Sequence, residues 1–523
     1  MQTFRRYKGL SLQCCQIFVS IAEKINAFHP QPHRMKRLIL IAAVCVLSLA
    51  GLLAWAIEVI ATPPRLLSPY IVRRALGHNP VVVSMGTWLG EYLMLVDRSS
   101  PISSNVPHLI IGAQKESSQL LQSTGREIMS IYTAEDARKA IAQAQPGDII
   151  TLEPGTYRFN GSSILVNRSA TETERITVRA RRAGTVFLEL NVTEGFFVTA
   201  PYWTFENLSI RGICNIHSNC DHAFHIVGNA SHFIARNNTI TDFNAHFKIN
   251  GSNGQFPDNG LIEGNTLFNN TVRLTDHPVT LIDLVAASNW MIRRNWISDF
   301  AKAYSNQISY GAFVKGAGTG NVFEQNIVIC EHKLRGIEGQ RVGLSLGGGG
   351  TGKEYCRDKR CITEQDSGVI QSNLISSCSD EGIYLNRAST SKIVHNTLID
   401  TAGITVRFPE SSADVEGNMV DGLIRSRDDG LLRENDNITT PNTFLYAGFH
   451  PTHRYFSNVH RMDFSWRTTP PMRNILSSNT VDLCGFTRQS PTPYGALIDF
   501  TRCQQTTKQP TLYGVSNINM PSP

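Results

Sequence analysis

IARNNTI, residues 234–240, alternates apolar and polar side chains up to a bend made of two asparagines and then resumes with an apolar residue. The phrase returns as LIEGNTL at 261–267, MIRRNWI at 291–297, VFEQNIV at 322–328, VIQSNLI at 369–375, IVHNTLI at 393–399 and VEGNMV at 415–420. TFENLSI at 204–210 reads as its first copy. The asparagines Asn207, Asn238, Asn265, Asn295, Asn326, Asn373, Asn396 and Asn418 are 31, 27, 30, 31, 47, 23 and 22 residues apart. Self-similarity at such a period marks a solenoid. The LxxLxL frame of a leucine-rich repeat is missing, and the period is too short for the four strands of a propeller blade. The fold expected is all-β, a right-handed parallel β-helix over residues 128–433, each coil of short period-two strands with Ile, Leu, Val and Phe turned inward. The asparagine stands at a tight bend, where it tolerates left-handed backbone and can hydrogen-bond to the asparagine of the next coil.

A solenoid must cover its open ends, because unpaired strand edges invite aggregation. TAEDARKAIAQAQPGDIITLEPGTY, residues 133–157, reads as that cover: an amphipathic helix over 134–144, a turn at Pro146-Gly147, then a strand. After Arg433 the phrase stops and Pro, Thr and Ser become common, so residues 434–523 read as a loop-rich cap over the last coil or the helix flank. Residues 63–127 read as a connector.

The run LILIAAVCVLSLAGLLAWAI, residues 38–57, carries no charge and is long enough to cross a bilayer as a helix. Arg34, Lys36 and Arg37 precede it, with Arg5, Arg6, Lys8 and Lys24 further upstream. The positive-inside rule then leaves residues 1–34 cytoplasmic and everything after about residue 62 outside. Ala54-Trp55-Ala56 has the form of a cleavage site, and Met35-Lys36-Arg37 would serve as the n-region of a signal peptide, with residues 1–34 then a mis-assigned start. Anchor and signal peptide, both within 35–62, stay open, and both place the body outside the cytoplasm, secreted or membrane-tethered. Of the 11 cysteines, eight lie beyond that segment. An even number in an oxidising compartment reads as disulfides, with Cys214–Cys220, Cys356–Cys361 and Cys484–Cys503 as local candidates, and no CxxC pair points to zinc. The net charge of +6 is spread along the chain, which gives no nucleic-acid footprint and suits an acidic polymer.

The segment AQPGDIITLEPGTY, 144–157, followed by RITVRARRAGTVFLE, 175–189, resembles the opening of polysaccharide lyases of the chondroitinase B and alginate lyase type, which are right-handed parallel β-helices. The likeness covers residues 133–330. It implies elimination on a uronate polymer: a cation neutralises the carboxylate, a lysine takes the C5 proton and an arginine helps at the leaving oxygen. Lys315, in FVKGAGTGNVFEQN, matches the family's lysine context, the arginine one coil later falls nearest Arg341, and Lys248 is the competing base. The family binds calcium through an Asn and a Glu-x-Glu pair, and ISYGAFVKG before and around Lys315 contains no such pair. Calcium is therefore implied by the resemblance but not by these residues, and the metal is left unassigned.

Beside the resemblance, the strands ahead of each asparagine phrase align one outward column: His225, His246 with Lys248, Asp283, Lys315, Ser345, Tyr384 and Thr405, with Arg407 just beyond. A solvated face is the bland reading of any one of these. Stacked at a strand spacing of about 4.8 Å, however, Lys, Asp and His shift one another's pKa, as proton-transfer groups require. His225, His246, Asp283, Tyr384 and Arg407 are the candidate substrate-binding residues. Asp380-Glu381 with Asp283 would supply a carboxylate pair if the protein were a glycoside hydrolase. A non-catalytic polysaccharide-binding or structural β-helix is the third reading. GGGGTGK, 347–353, lacks the Ser or Thr of a phosphate loop, Glu354 standing in its place, and reads as a turn or a flat floor for a ligand. His217, Asp221, His222 and His225 have the chemistry of metal ligands, although a disulfide-closed loop with surface histidines is the favoured reading.

Overall fold

The computed structural model describes residues 32–104, 106–114, 125–475 and 480–504. The expected cytoplasmic tail lies outside the described residues up to residue 31, and Cys14 and Cys15 with it. Helix α1, Pro32–Ile60, forms one unit and residues from Ala61 onward form another. Within α1, Leu40–Ile60 has a mean hydropathy of 2.5 over its most apolar stretch and buries none of it, so it is long and apolar enough to cross a membrane.

The second unit is a right-handed parallel β-helix. Three parallel sheets run its length, of 12, 10 and 11 strands. One coil shows why the phrase folds as it does. Ile234–Arg236 lies in the first sheet, Thr239–Thr241 in the third, and Ala245–Asn250 in the second, before Leu261–Glu263 returns to the first. Alternation turns Ala235, Ile262, Ile292, Phe323, Ile370 and Ile393 inward in register, and each is fully buried. In the second sheet Phe196, Phe224 and Phe247 stack with ring centroids 5.0 and 5.3 Å apart, and Ile282 continues the column. Each such side chain contributes about 1.5–3 kcal/mol when removed from water.

The asparagine ladder forms, with two corrections. Each ladder amide donates to the Oδ1 of the next: Asn238 to Asn265, Asn265 to Asn295, Asn295 to Asn326, Asn326 to Asn373, Asn373 to Asn396, and Asn396 to Asn418, at 2.9–3.1 Å. Asn418 extends it to Asn437, at 2.9 Å, a rung beyond the expected end of the repeat. Asn207 is not a rung; Leu208 stands at that level and its backbone N–H donates to Asn238 Oδ1. The left-handed residue is the one before each rung, such as Asn237 (φ 54°), Arg294 (57°) and Gln325 (56°), so the ladder asparagines are selected for their amides and not for their backbone.

Helix α4, Ala134–Gln143, is capped by Thr133, whose hydroxyl accepts from the Asp136 N–H, and it buries Ala137 and Ile141 against the first coils. The stretch read as a connector holds α2, Pro64–Ala75, and α3, Pro80–Asp97. Gly86 and Gly90 let them touch: a Cβ at Gly86 would come within 2.3 Å of the Ala75 Cβ. Buried Arg65 ties this hairpin to the solenoid, pairing with Asp97 at 2.9 Å and donating to Cys378 O and Asp400 Oδ1. Met85, Trp88, Tyr92 and Leu95 of α3 remain exposed.

Residues 441–475 and 480–504 pack on the outer flank of the third sheet, where Phe456, Phe464 and Phe500 cover Ile327, Leu374 and Ile399. Among the described residues the disulfides are Cys214–Cys220, Cys356–Cys361, Cys484–Cys503 and Cys330–Cys378. The last joins neighbouring coils, and Cys45 is free.

Candidate functional site

The second sheet presents two outward columns. The first runs His225, Lys248, Asp283, Phe313, Ser345, Tyr384, Thr405 and Arg425. Phe313, not Lys315, therefore follows Asp283. Lys315 is the last residue of its strand, Ile308–Lys315, and pairs with Val285, which in turn pairs with Asn250. That second column continues one residue beyond the Val314–Leu346 pair through Gly347, Asn386, Arg407 and Arg427. Residues 313 and 315 share a face, so Lys315 stays outward but is displaced along the strand by two residues.

Lys315, Lys248 and Asp283 are brought together. Lys248 Nζ donates to Asp283 Oδ2 at 2.9 Å, and Asp283 is buried. The Lys315 ammonium has no hydrogen bond or ion pair among the described residues; it lies over the Phe313 ring, 4.4 Å from the centroid. Removal from water pushes the Lys315 pKa below that of a free lysine; the Asp283 charge opposes the shift and the Lys248 charge adds to it. The glycine run closes over its stem. A Cβ at Gly348 would sit 2.7 Å from the Lys315 Cδ, and one at Gly347 (φ +71°) 1.9 Å from the Asn386 carbonyl oxygen, so at position 347 only glycine fits. The run is thus both turn and floor. The loop it opens is held by Cys356–Cys361 and by Arg357, which pairs with Asp258 at 2.7 Å and donates its backbone N–H to Gly316 O.

The other expected site residues fall elsewhere on the sheet. His225, in the first column, bonds through Nδ1 to Glu194 Oε1 and through Nε2 to Asn250 Oδ1 of the second, both 2.8 Å. His246 is wholly buried, with Nε2 3.3 Å from Asn269 Oδ1, and burial lowers its pKa to about 3. It is therefore neutral and turned away from the face, not a substrate ligand. Arg341 is also misplaced. It pairs in register with Ser309, six residues before Lys315, which at about 3.3 Å per residue is roughly 20 Å away. Its buried guanidinium donates to the carbonyls of Ile337, Glu338 and Gly339 and faces Glu331 at 3.5 Å, a structural role. Arg407 and Tyr384 do meet, Nη1 to the phenol oxygen at 3.1 Å, but Tyr384 stands three strand gaps from Asp283 and two from Lys315, and Arg407 one strand further, so the pair is roughly 10–19 Å from them.

The carboxylate pair of a hydrolase is not assembled. Asp283 stands three strand gaps from the Tyr384 level and Asp380 precedes Tyr384 by four residues, so the two exceed the about 9.5 Å that an inverting pair spans. Asp380 is instead buried, bonded to Gln340, its pKa pushed up to about 7 first by burial and then by the Glu381 carboxylate. The histidine cluster also rearranges: Glu194, which the sequence reading missed, joins His222 and His225 with ligand atoms within 4.8 Å of one another, whereas His217 bonds Leu274 N–H. No spacing in the sequence marked Glu194; it lies one coil earlier, in register with His222. Two imidazoles suit a transition metal and not calcium, which takes oxygen ligands. The residues around Lys315 likewise lack a carboxylate cluster among the described residues, so the implied calcium does not fit here.

Together these features define a right-handed parallel β-helix of the kind found in polysaccharide lyases, with a lysine-bearing outer face. Over 84 residues the chain is 32% identical to pectate lyase L of Dickeya chrysanthemi, a stretch that is 14% of this chain and about a fifth (20%) of that relative. The crystal structure of pectate lyase Pel9A superimposes with a TM-score of 0.51 at 13% identity, covering 73% of this chain and 98% of that one. An alginate lyase from Paenibacillus sp. str. FPU-7 gives 0.35 at 18% identity, over 60% of this chain and 99% of that one. No family model matches the chain.

Proposed function

We propose that the outer face of the second sheet binds an acidic, uronate-containing polysaccharide and cleaves it by elimination, with Lys315 as the base. The observation that carries this reading is the Lys315 ammonium: outward, partly removed from water and without an ion-pair partner among the described residues. Such a lysine loses its proton more readily than a free one and can then accept another from carbon. The amine takes the C5 proton, its electrons form the C4–C5 double bond, and the C4–O bond breaks, the departing oxygen taking a proton from water. The uronate carboxylate must be neutralised for C5 to acidify, and Lys248 is the neighbouring cation. Arg407 and Tyr384, further along the face, would hold another part of the chain. The likeness to pectate and alginate lyases supports this chemistry as a class. The four disulfides suit an oxidising compartment, and we assign α1 as the anchor or export signal that places the body there.

Incubation of residues 61–523 with polygalacturonate, alginate and related uronates, followed by mass spectrometry of the products, tests the reaction type. Elimination gives oligosaccharides lighter by one water than those of hydrolysis. Products at the hydrolytic mass would overturn the lyase reading, and binding without any product would favour a polysaccharide-binding role.

A further inference from the structure

A second set of ligand-type side chains lies outside the second sheet. Asp421 follows the strand Met419–Val420 of the third sheet and is wholly buried. Its carboxylate is oriented from beneath: Thr440 Oγ1 donates to Oδ1 at 3.1 Å and the Asp400 N–H to Oδ2 at 3.3 Å. On its other side stand two imidazoles from the segment that packs over the flank. His453 belongs to the 3₁₀ turn Pro451–Tyr455, and His450 is the residue before it. A 3₁₀ turn has three residues, so positions three apart eclipse. The two rings accordingly stack, 5.2 Å apart and 21° from parallel. His450 Nδ1 lies 3.0 Å from both carboxylate oxygens and His453 Nε2 2.9 Å from Oδ2, and the three ligand atoms lie within 4.8 Å of one another.

We propose that Asp421, His450 and His453 bind a divalent transition-metal ion of the zinc class, which fastens residues 450–455 to the last coils. Two imidazoles and one carboxylate are a donor set for such an ion and a poor one for calcium or magnesium, which take oxygen. Bonds of about 2.0–2.1 Å at tetrahedral angles place donors roughly 3.3 Å apart. The observed separations of 2.9 and 3.0 Å need open by only a few tenths of an ångström. Thr440 and the Asp400 amide orient the carboxylate as outer-shell partners orient metal ligands. The imidazoles keep side-chain exposures of 12% and 18%, so the site opens to solvent on one side, where water completes the coordination. The role is structural: the cluster joins the covering segment to the solenoid and does not involve Lys315.

The metal-free alternative is a triad in which both imidazoles donate to the carboxylate. It and the metal site are distinguished by a cobalt and zinc titration of the full chain in detergent, free of any histidine tag and stripped with a chelator. The metal site predicts one retained ion per chain from this cluster, a visible cobalt spectrum of four-coordinate type, and a melting temperature raised by zinc. His453→Gln keeps an N–H to donate to Asp421 but is a poor ligand; it must abolish the cobalt signal and the zinc-dependent gain, while His222→Gln, at the other two-imidazole set, leaves them. Absence of retained metal, a melting temperature indifferent to zinc, or a cobalt signal that survives His453→Gln overturns the proposal.

Discussion

Replacement of Asn326 by alanine removes an interior rung of the asparagine ladder and isolates what such a rung contributes. Its Oδ1 accepts from the backbone N–H of Asn295 at 3.1 Å and from Asn295 Nδ2 at 3.0 Å, while its Nδ2 donates to Ile292 O at 2.8 Å and to Asn373 Oδ1 at 2.9 Å. After substitution the Asn373 oxygen keeps the backbone N–H of residue 326, and Asn295 Nδ2 keeps Ile262 O. The Asn295 N–H, by contrast, is left buried without its acceptor. One orphaned buried donor costs about 1–3 kcal/mol, and the three other lost hydrogen bonds about 1 kcal/mol each, so Asn326→Ala should destabilise by about 4–6 kcal/mol. Asn437, at the far end, serves the same bonds to Asn418 at 2.9 Å but is half-exposed, so water replaces them and Asn437→Ala should cost only about 1 kcal/mol. Guanidinium unfolding of residues 61–523, followed by circular dichroism, reads the difference as a midpoint shift at least twice as large for Asn326→Ala. Equal shifts would refute the ladder as a buried, coupled element.

Three further outcomes are expected. Because the Lys315 pKa is depressed and the base must be neutral, kcat/KM on a uronate polymer should climb with pH to a midpoint below 10.5; Asp283→Asn should move that midpoint down and Lys248→Met up, as a pH–rate profile would show. Asp380, with its folded pKa raised to about 7, binds a proton more tightly folded than unfolded, so its contribution to stability is full below pH 3.8 and is lost as pH rises through about 7. Unfolding of Asp380→Asn should lack that decline. Replacing Cys330 and Cys378 together by serine frees a loop spanning 48 residues and should cost ~4 kcal/mol of unfolding free energy, measured against the wild type without reductant.

The coil architecture was legible because the phrase that makes it is periodic: the bend asparagine and the inward Ile, Val and Phe recur in register. The first and last rungs were not. TFENLSI has a single asparagine, and Asn207 takes the left-handed position while Leu208 takes the level of the rung. In ENDNIT the rung is Asn437, beyond the apparent end of the repeat. The site was half legible. Lys248 and Asp283 emerged as neighbours because alternation fixes which face they occupy. Lys315 was placed in the wrong column because its strand, Ile308–Lys315, is longer than those before it, and parity does not distinguish positions two apart. Arg341 was expected near Lys315 from order along the chain, whereas the strand register puts it opposite Ser309. The Cys330–Cys378 pair had a readable signal: each cysteine follows its ladder asparagine, Asn326 or Asn373, by four or five residues, which puts both at the same corner of adjacent coils.

The central claim is that the amine of Lys315 takes the proton. It is tested most directly by the initial rate at which ultraviolet absorbance of the unsaturated sugar appears, compared between the wild type and Lys315→Met on the polymer the wild type cleaves best. Loss of general-base catalysis should lower the rate by about 10²–10⁴-fold with the melting temperature unchanged. A correctly folded Lys315→Met within about tenfold of wild type would contradict the assignment.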